Sequence, residues 1–387
     1  MTIESITLAN WDAPPFNRWS FLNMSEILPV AAISRGEGPV REYRENRCNL
    51  DGIALTRVNG GAATVREVLD TTETDGFLVL HRGEIVCEEY FNGMAPDTLH
   101  LAQSISKSVT GTLVGIFIER GLIDRNASVT DYLPELQNSG YAGATVEHVI
   151  NMRTGVKFTE DYTDPDADFA FLDRAAGWKE LKDEDDPKSI HDLLVSIEGQ
   201  RPHGEFFQYR SIDTDVLAWI CERVGAASLT ELIGTEIWSR IGAEYDANFT
   251  VDREGTALAD GGLNATLRDF GRFGQMYLDR GFVNGRQVAS ANWIDGCRQG
   301  DTEAFRVLYG DFAAHYPNAG YSNQWWVVDG RRGVYSARGV FGQFIYIDPE
   351  LELVVVKLST WPTFLDTGRG LDTYRMVEAI AAHLTQA

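Results

Sequence analysis

Lysine is scarce in this chain: only six occur among the 34 basic residues, and acids total 57, so the formal net charge is −23. A surface of that sign repels phosphate backbones and anionic bilayers, which excludes nucleic acid and membrane surfaces as partners. The total charge itself is accounted for by solubility or salt tolerance. Cysteine is equally sparse. Cys48, Cys87, Cys221 and Cys297 lie far apart and form no C-x-x-C, which excludes a disulfide framework and a zinc ribbon and leaves buried free thiols as the expectation. The seven histidines show no H-E-x-x-H, so no metal site is expected. No apolar run is long enough to span a bilayer, and the N-terminal stretch MTIESITLANWDAPPFNRW has neither a basic n-region nor an apolar h-region. A soluble, cytoplasmic protein is the expectation. The G-x-S-x-G elbow of α/β-hydrolases is also missing, which counts against a histidine-based triad.

What is present suits a large folded core: 387 residues, 44% apolar and 11% aromatic, a length that suggests two or three interwoven structural units. Asp75 to Phe91 reads as two β-rich runs around Arg82-Gly83, a hairpin signal. From Tyr321 to Thr360 four segments, QWWVVDG, GVYSARG, GQFIYIDPE and LELVVVKLST, read as strands whose short links require antiparallel pairing. Helical periodicity marks about Ser189–Glu198, Thr214–Val224, Leu229–Ile241 and Leu267–Arg280, with Gly225 and Gly281 as stops, and a last helix at about Asp372–Leu384 to cover the sheet. The expected fold class is α/β of the α+β type: an antiparallel sheet built from both chain ends and flanked by helices, with an inserted, mostly helical domain. The expected boundaries are 1–108 with 265–387 for the discontinuous α/β domain and 109–264 for the helical one. The acidic run Glu180–Asp186 reads as a solvated loop.

One of the six lysines stands at the head of an apolar run, LAQSISKSVTGTLVGIFIERG. The helix ending at Gly121 has an interior of Val109, Leu113, Val114, Ile116, Phe117 and Ile118, apolar on most sides, so it is expected in the centre of the molecule. Ser104 and Lys107 are three apart, on one helical face and within reach of each other. No other lysine has a serine three residues before it. Burial disfavours an ammonium, so the expectation is a Lys107 with lowered pKa, able to take the Ser104 proton, at a helix N-terminus that offers N–H groups to an oxyanion. A serine cap beside a snorkelling lysine would leave the same four-residue trace. The position, at the start of a buried helix after a strand pair, favours chemistry.

The stretch resembles the S-x-x-K motif of the serine β-lactamase and penicillin-binding-protein superfamily. More narrowly, the chain is similar to the 6-aminohexanoate-dimer hydrolases through PPFNRW, SISKS, EDYTDP, DRAAGW, QYRSIDTDVLAW, NQWW and KLSTWP. That resemblance implies Ser104 as nucleophile and Lys107 as base. It implies Tyr209, in Tyr209-Arg210-Ser211, as the group that relays a proton to the leaving amine, with its pKa depressed by a nearby cation. Serine at 211, where the wider superfamily has asparagine, points to the nylon-oligomer subgroup. The third superfamily motif should fall in Arg338–Gln343, and there Phe341-Gly342-Gln343 carries no cation, so lactams and D,D-peptides should fit poorly. The N–H of Val340 is the implied second oxyanion donor beside that of Ser104. Tyr162 is implied to contact the substrate amide and Asp173 to hold its amino end, whereas Asp164, Asp166 and Asp168 read as solvated loop acids.

The resulting expectation is a serine hydrolase that cleaves small linear amides or carboxylic esters through an acyl-enzyme, without metal or organic cofactor. Its partner is a small-molecule substrate, and a homodimer stays open. The alternatives are a carboxylesterase with little amidase activity and a non-catalytic, penicillin-binding-like sensor.

Overall fold

The computed structural model describes residues 5–386, so the first four residues of the N-terminal stretch read above lie outside the described residues. Its main sheet has eight strands drawn from both ends of the chain. The hairpin pairs Thr74–His81 with Glu84–Tyr90 through Arg82 and Gly83, whose φ of 52° and 74° supply the left-handed pair a two-residue hairpin turn needs. Gly320–Ser322, Trp325–Asp329, Val334–Gly339, Gln343–Asp348 and Leu353–Ser359 then run antiparallel in sequence, and the last of them pairs with Thr74–His81. The outermost strand, Arg44–Glu45, pairs parallel with the hairpin and was not anticipated.

Successive side chains in a strand face opposite sides of the sheet, and both sides are covered. Leu78, Leu80, Val354 and Val356 face a core that also holds Phe270 and Phe273 of helix Leu267–Leu278. Phe77, Val79 and Val355 face Tyr374, Met376, Val377 and Ile380 of the C-terminal helix, Thr367–Gln386. Helix Leu267–Leu278 lies close against the strands because Gly271 and Gly274 leave room: a Cβ there would stand 2.5 Å from Leu78 Cδ2 and 2.7 Å from Val354 Cγ1.

Several local expectations are corrected. The Leu229–Ile241 pattern splits into an α-helix, Leu229–Ile233, and a π-helical turn, Gly234–Trp238. Gly225 is the last helical residue, not the stop. The left-handed residue is Ala226, with φ 52°, while glycine at 225 avoids Leu232, whose Cδ2 a Cβ would meet at 2.8 Å. Asp168 opens helix Asp168–Ala175, and its carboxylate accepts the Thr159 N–H at 2.7 Å instead of dangling in a loop. Asp186 is buried against Arg174 at 2.9 Å, so the run Glu180–Asp186 is not wholly solvated. Cys48 is exposed; the other three thiols are buried. Among the described residues no helix is long and apolar enough to cross a membrane.

Candidate active site

The strand His100–Leu101 delivers the chain to Gln103, whose φ of 50° lies in the left-handed region, and then to Ser104 at the cap of helix Ile105–Glu119. A non-glycine residue there is strained and needs support. Ser106 supplies it: its hydroxyl donates to the Gln103 carbonyl at 2.6 Å and accepts the Leu263 N–H at 3.1 Å. The helix beyond is buried as expected through Phe117, and Gly121, with φ 70°, follows its end.

Lys107 Nζ donates to Ser104 Oγ at 2.9 Å. It also donates to the Asp260 carbonyl at 2.8 Å and to Asp260 Oδ2 at 3.2 Å, so all three ammonium protons have acceptors in a side chain that is 1% exposed. This corrects the expectation of a lowered pKa. Burial does work against the ammonium, but Tyr209, Asp260, Glu160 and Asp215 around it outweigh burial, and the net shift is upward. Asp215 Oδ1 accepts the Asp260 N–H at 3.2 Å, and burial next to Asp260 drives the Asp215 carboxyl well above the carboxylate range.

Tyr209 stands beside Ser104, its ring 5.1 Å from Lys107 Nζ and its hydroxyl a hydrogen-bonding neighbour of both Ser104 and Lys107. Its pKa is raised, not depressed: burial exceeds the help it receives from Lys107 and from those hydrogen bonds. At rest the trio therefore holds a neutral phenol and an ammonium.

Ser211 lines the smaller cavity with Ser104 but is held by Glu160. Its N–H and hydroxyl both donate to Glu160, the former at 2.9 Å, and Tyr162 donates to the same carboxylate at 3.0 Å. Burial raises the Glu160 pKa, while Lys107 and the Ser211 hydrogen bonds oppose it. Glu160, Asp215 and Asp260 were not singled out from the sequence. Asp260 lies 153 residues from Lys107 and 45 from Asp215, and Glu160, though two residues from Tyr162, lies 51 from Ser211 and is one of many acids in an acidic composition.

Val340 opens a turn in which Phe341 and Gly342 have φ 61° and 91°. The turn crosses the segment leading into Ser104 because Gly339 has no side chain: a Cβ would stand 2.6 Å from the Ala102 carbonyl. Val340, Ser104 and Tyr162 line two cavities. The larger, about 370 Å³, runs toward Trp326, Arg338 and Tyr374. The smaller, about 10 Å³, is closed by Asp173 and Trp178. Half-buried in that small space, Asp173 is pushed up to about 8 by burial, which Asp12 and Asp260 reinforce and Lys179 and Arg174 offset in part. The structure thus brings Ser104, Lys107, Tyr209, Tyr162, Asp173, Val340 and Ser211 to the two cavities that meet at Ser104, with Ser211, in the wall of the smaller, hydrogen-bonded to Glu160. A hydroxyl held by an amine and a phenol, at the junction of two cavities, can attack a carbonyl and move its proton without a metal.

The model of a family described as Beta-lactamase matches residues 62–379. A 6-aminohexanoate-dimer hydrolase of Paenarthrobacter ureafaciens is 39% identical over 381 residues, 97% of this chain and 95% of that protein. A solved structure provisionally assigned as a 6-aminohexanoate-dimer hydrolase from Bacillus anthracis superposes with a TM-score of 0.90 at 31% identity, covering 100% of this chain and 98% of that one. A family VIII carboxylesterase shares the fold at a TM-score of 0.59, with 17% identity over 81% of this chain and 95% of its own. Matched by the family model over most of its length and by a relative almost from end to end, the chain belongs to the beta-lactamase family of hydrolases.

Proposed function

We propose that the protein hydrolyses small linear amides bearing a terminal ammonium, such as 6-aminohexanoate dimer, through an acyl-enzyme on Ser104. The observation that carries this reading is the 2.9 Å hydrogen bond between Lys107 Nζ and Ser104 Oγ, with Tyr209 beside both at the mouth of the larger cavity. Once the Lys107 ammonium has lost one proton to solvent, Ser104 Oγ bonds to the carbonyl carbon and its hydrogen passes to Nζ. The oxyanion is received by the backbone N–H groups of Ser104 and Val340. The C–N bond then breaks as Tyr209 protonates the departing amine and recovers its proton from Lys107. Water cleaves the ester by the same steps in reverse. Tyr162 faces the amide, and Asp173 receives the ammonium of the acyl half.

The relative named for 6-aminohexanoate-dimer hydrolysis supports the substrate class, and an unpaired carboxyl in the smaller cavity supports the ammonium. The composition supports a cytoplasmic location. Mass spectrometry after parallel exposure to an ester, the amide dimer and a penicillin tests the proposal. The expected result is a transient acyl adduct mapped to Ser104 with turnover of ester and amide. An adduct elsewhere would remove Ser104 from the mechanism, and a stoichiometric adduct without turnover would favour the ligand sensor.

A further inference from the structure

The larger cavity contains a cation that the reaction does not use. Arg338, the fifth residue of strand Val334–Gly339, is half-buried in the cavity wall. Its guanidinium lies 4.9 Å from the Trp326 ring centroid, 5.1 Å from that of Phe312 and 5.8 Å from that of Tyr374. Its hydrogen-bonding neighbour is the neutral Tyr374 hydroxyl, and among the described residues no carboxylate pairs with it. Three rings stand against the guanidinium and offset part of its desolvation; Glu160, Asp311 and Asp366 also line the cavity, but none of them pairs with Arg338, and its planar fork of donors is left for a planar anion.

Among the described residues that line the two cavities Arg338 is the only cation, set among Glu160, Asp311 and Asp366 in the large cavity, with Asp173 and Asp260 in the small one. Asp173 closes the small cavity on one side of Ser104, Arg338 stands in the wall of the large one, and the two spaces meet at Ser104, Tyr162 and Val340. A linear chain with its carbonyl at Ser104 and its ammonium at Asp173 must send its leaving half into the large cavity. The apolar part of that cavity's lining includes Trp361, Phe364 and Tyr309, which suits methylenes.

We propose that Arg338 binds the terminal carboxylate of the leaving half, so that the enzyme selects linear amides that are zwitterionic, with an ammonium on the acyl side and a carboxylate on the amine side. This rests on the reading of Ser104 and Asp173 given above. It also relocates a function. The turn Phe341-Gly342-Gln343 has no cation, and the cation that meets a substrate carboxylate comes instead from the preceding strand, in the wall between the C-terminal helix and helix Thr302–His315.

The test compares kcat/KM for 6-aminohexanoate dimer and for its C-terminal carboxamide, in wild type, Arg338→Met and Arg338→Lys. Wild type should prefer the free acid by roughly 10- to 100-fold, mainly in KM, as expected of one charge-assisted pair. Arg338→Met, which keeps the stem against the rings, should bring the ratio near one, and Arg338→Lys should keep part of it. Blocking the amino end should cost the same in wild type and Arg338→Met, because that end belongs to Asp173. A wild type indifferent to the carboxamide, or a preference that survives in Arg338→Met, overturns the inference whether or not either variant is stable. A second pair, the butyrate ester of 6-hydroxyhexanoate and its carboxamide, separates this inference from the amidase reading. Hydrolysis of the esters but not the amides would remove the proposed function, while the acid-to-carboxamide ratio would still uphold or refute Arg338. Failure to turn over either pair would remove both.

Discussion

If Asp173 receives an ammonium, its protonation should set the pH dependence of substrate choice. The carboxyl is pushed up to about 8 from an ordinary 3.8, so at pH 6 it stands two units below its midpoint and about 1% is ionised. Only the ionised form pairs with an ammonium, and ionising the group before binding costs about 1.4 kcal/mol for each pH unit below the midpoint, hence about 2.7 kcal/mol at pH 6. The sign follows directly: raising the pH removes this cost, and above about pH 8 it is gone. The substrate ammonium, with an ordinary pKa near ~10.4, stays charged throughout. The assay is the ratio of kcat/KM for 6-aminohexanoate dimer to that for its N-acetyl derivative between pH 6 and 9.5. Titration of Lys107 affects both substrates alike and cancels in the ratio. The ratio should climb about tenfold per pH unit from 6 to near 8 and then level, and Asp173→Asn should flatten it at a low value. A ratio independent of pH in wild type, or a slope that persists in Asp173→Asn, would refute the assignment.

Ser104→Ala should abolish hydrolysis with the fold intact, since the lost hydroxyl makes no capping hydrogen bond; circular dichroism and kcat check this. Lys107→Arg should be as inactive as Lys107→Ala, because a guanidinium does not give up a proton, and substantial turnover in the arginine variant would mean that charge alone suffices. Gly342→Ala would place a Cβ 2.3 Å from the Trp361 ring at φ 91°, so kcat should fall at least ~10-fold with ~1–3 kcal/mol of stability lost; an unchanged kcat would free the Val340 turn of a role in catalysis. Asp213 accepts hydrogen bonds from Tyr141 and Thr154, and burial pushes it up to about 7 despite Arg210 and those donors. A carboxyl raised on folding stabilises most below its unfolded pKa and loses that contribution as pH rises through the folded one. Wild type should therefore lose up to about 1.4 kcal/mol per pH unit relative to Asp213→Asn between pH 4 and 7, read from urea midpoints.

The features legible in the sequence are those set by near neighbours. A spacing of three on a helix is enough to bring Ser104 and Lys107 together, because helical geometry repeats locally whatever surrounds it. The Arg82-Gly83 turn and the strand runs of Tyr321–Thr360 are legible for the same reason, since backbone preference and alternation act over a few residues. The helix boundaries slipped where packing overruled propensity, as at Gly225, which yields space to Leu232 instead of ending its helix. What only the tertiary structure decided is electrostatic. The charge state of Lys107 depends on Asp260, 153 residues away, and on Glu160, Tyr209 and Asp215, so a sequence that correctly marked the lysine as buried still misjudged its pKa. Ser211 belongs to a motif but answers to Glu160, and Arg338 acquires its setting from rings on three different elements. Burial and charge act through space over the folded distance between groups, and that distance bears no fixed relation to their separation along the chain.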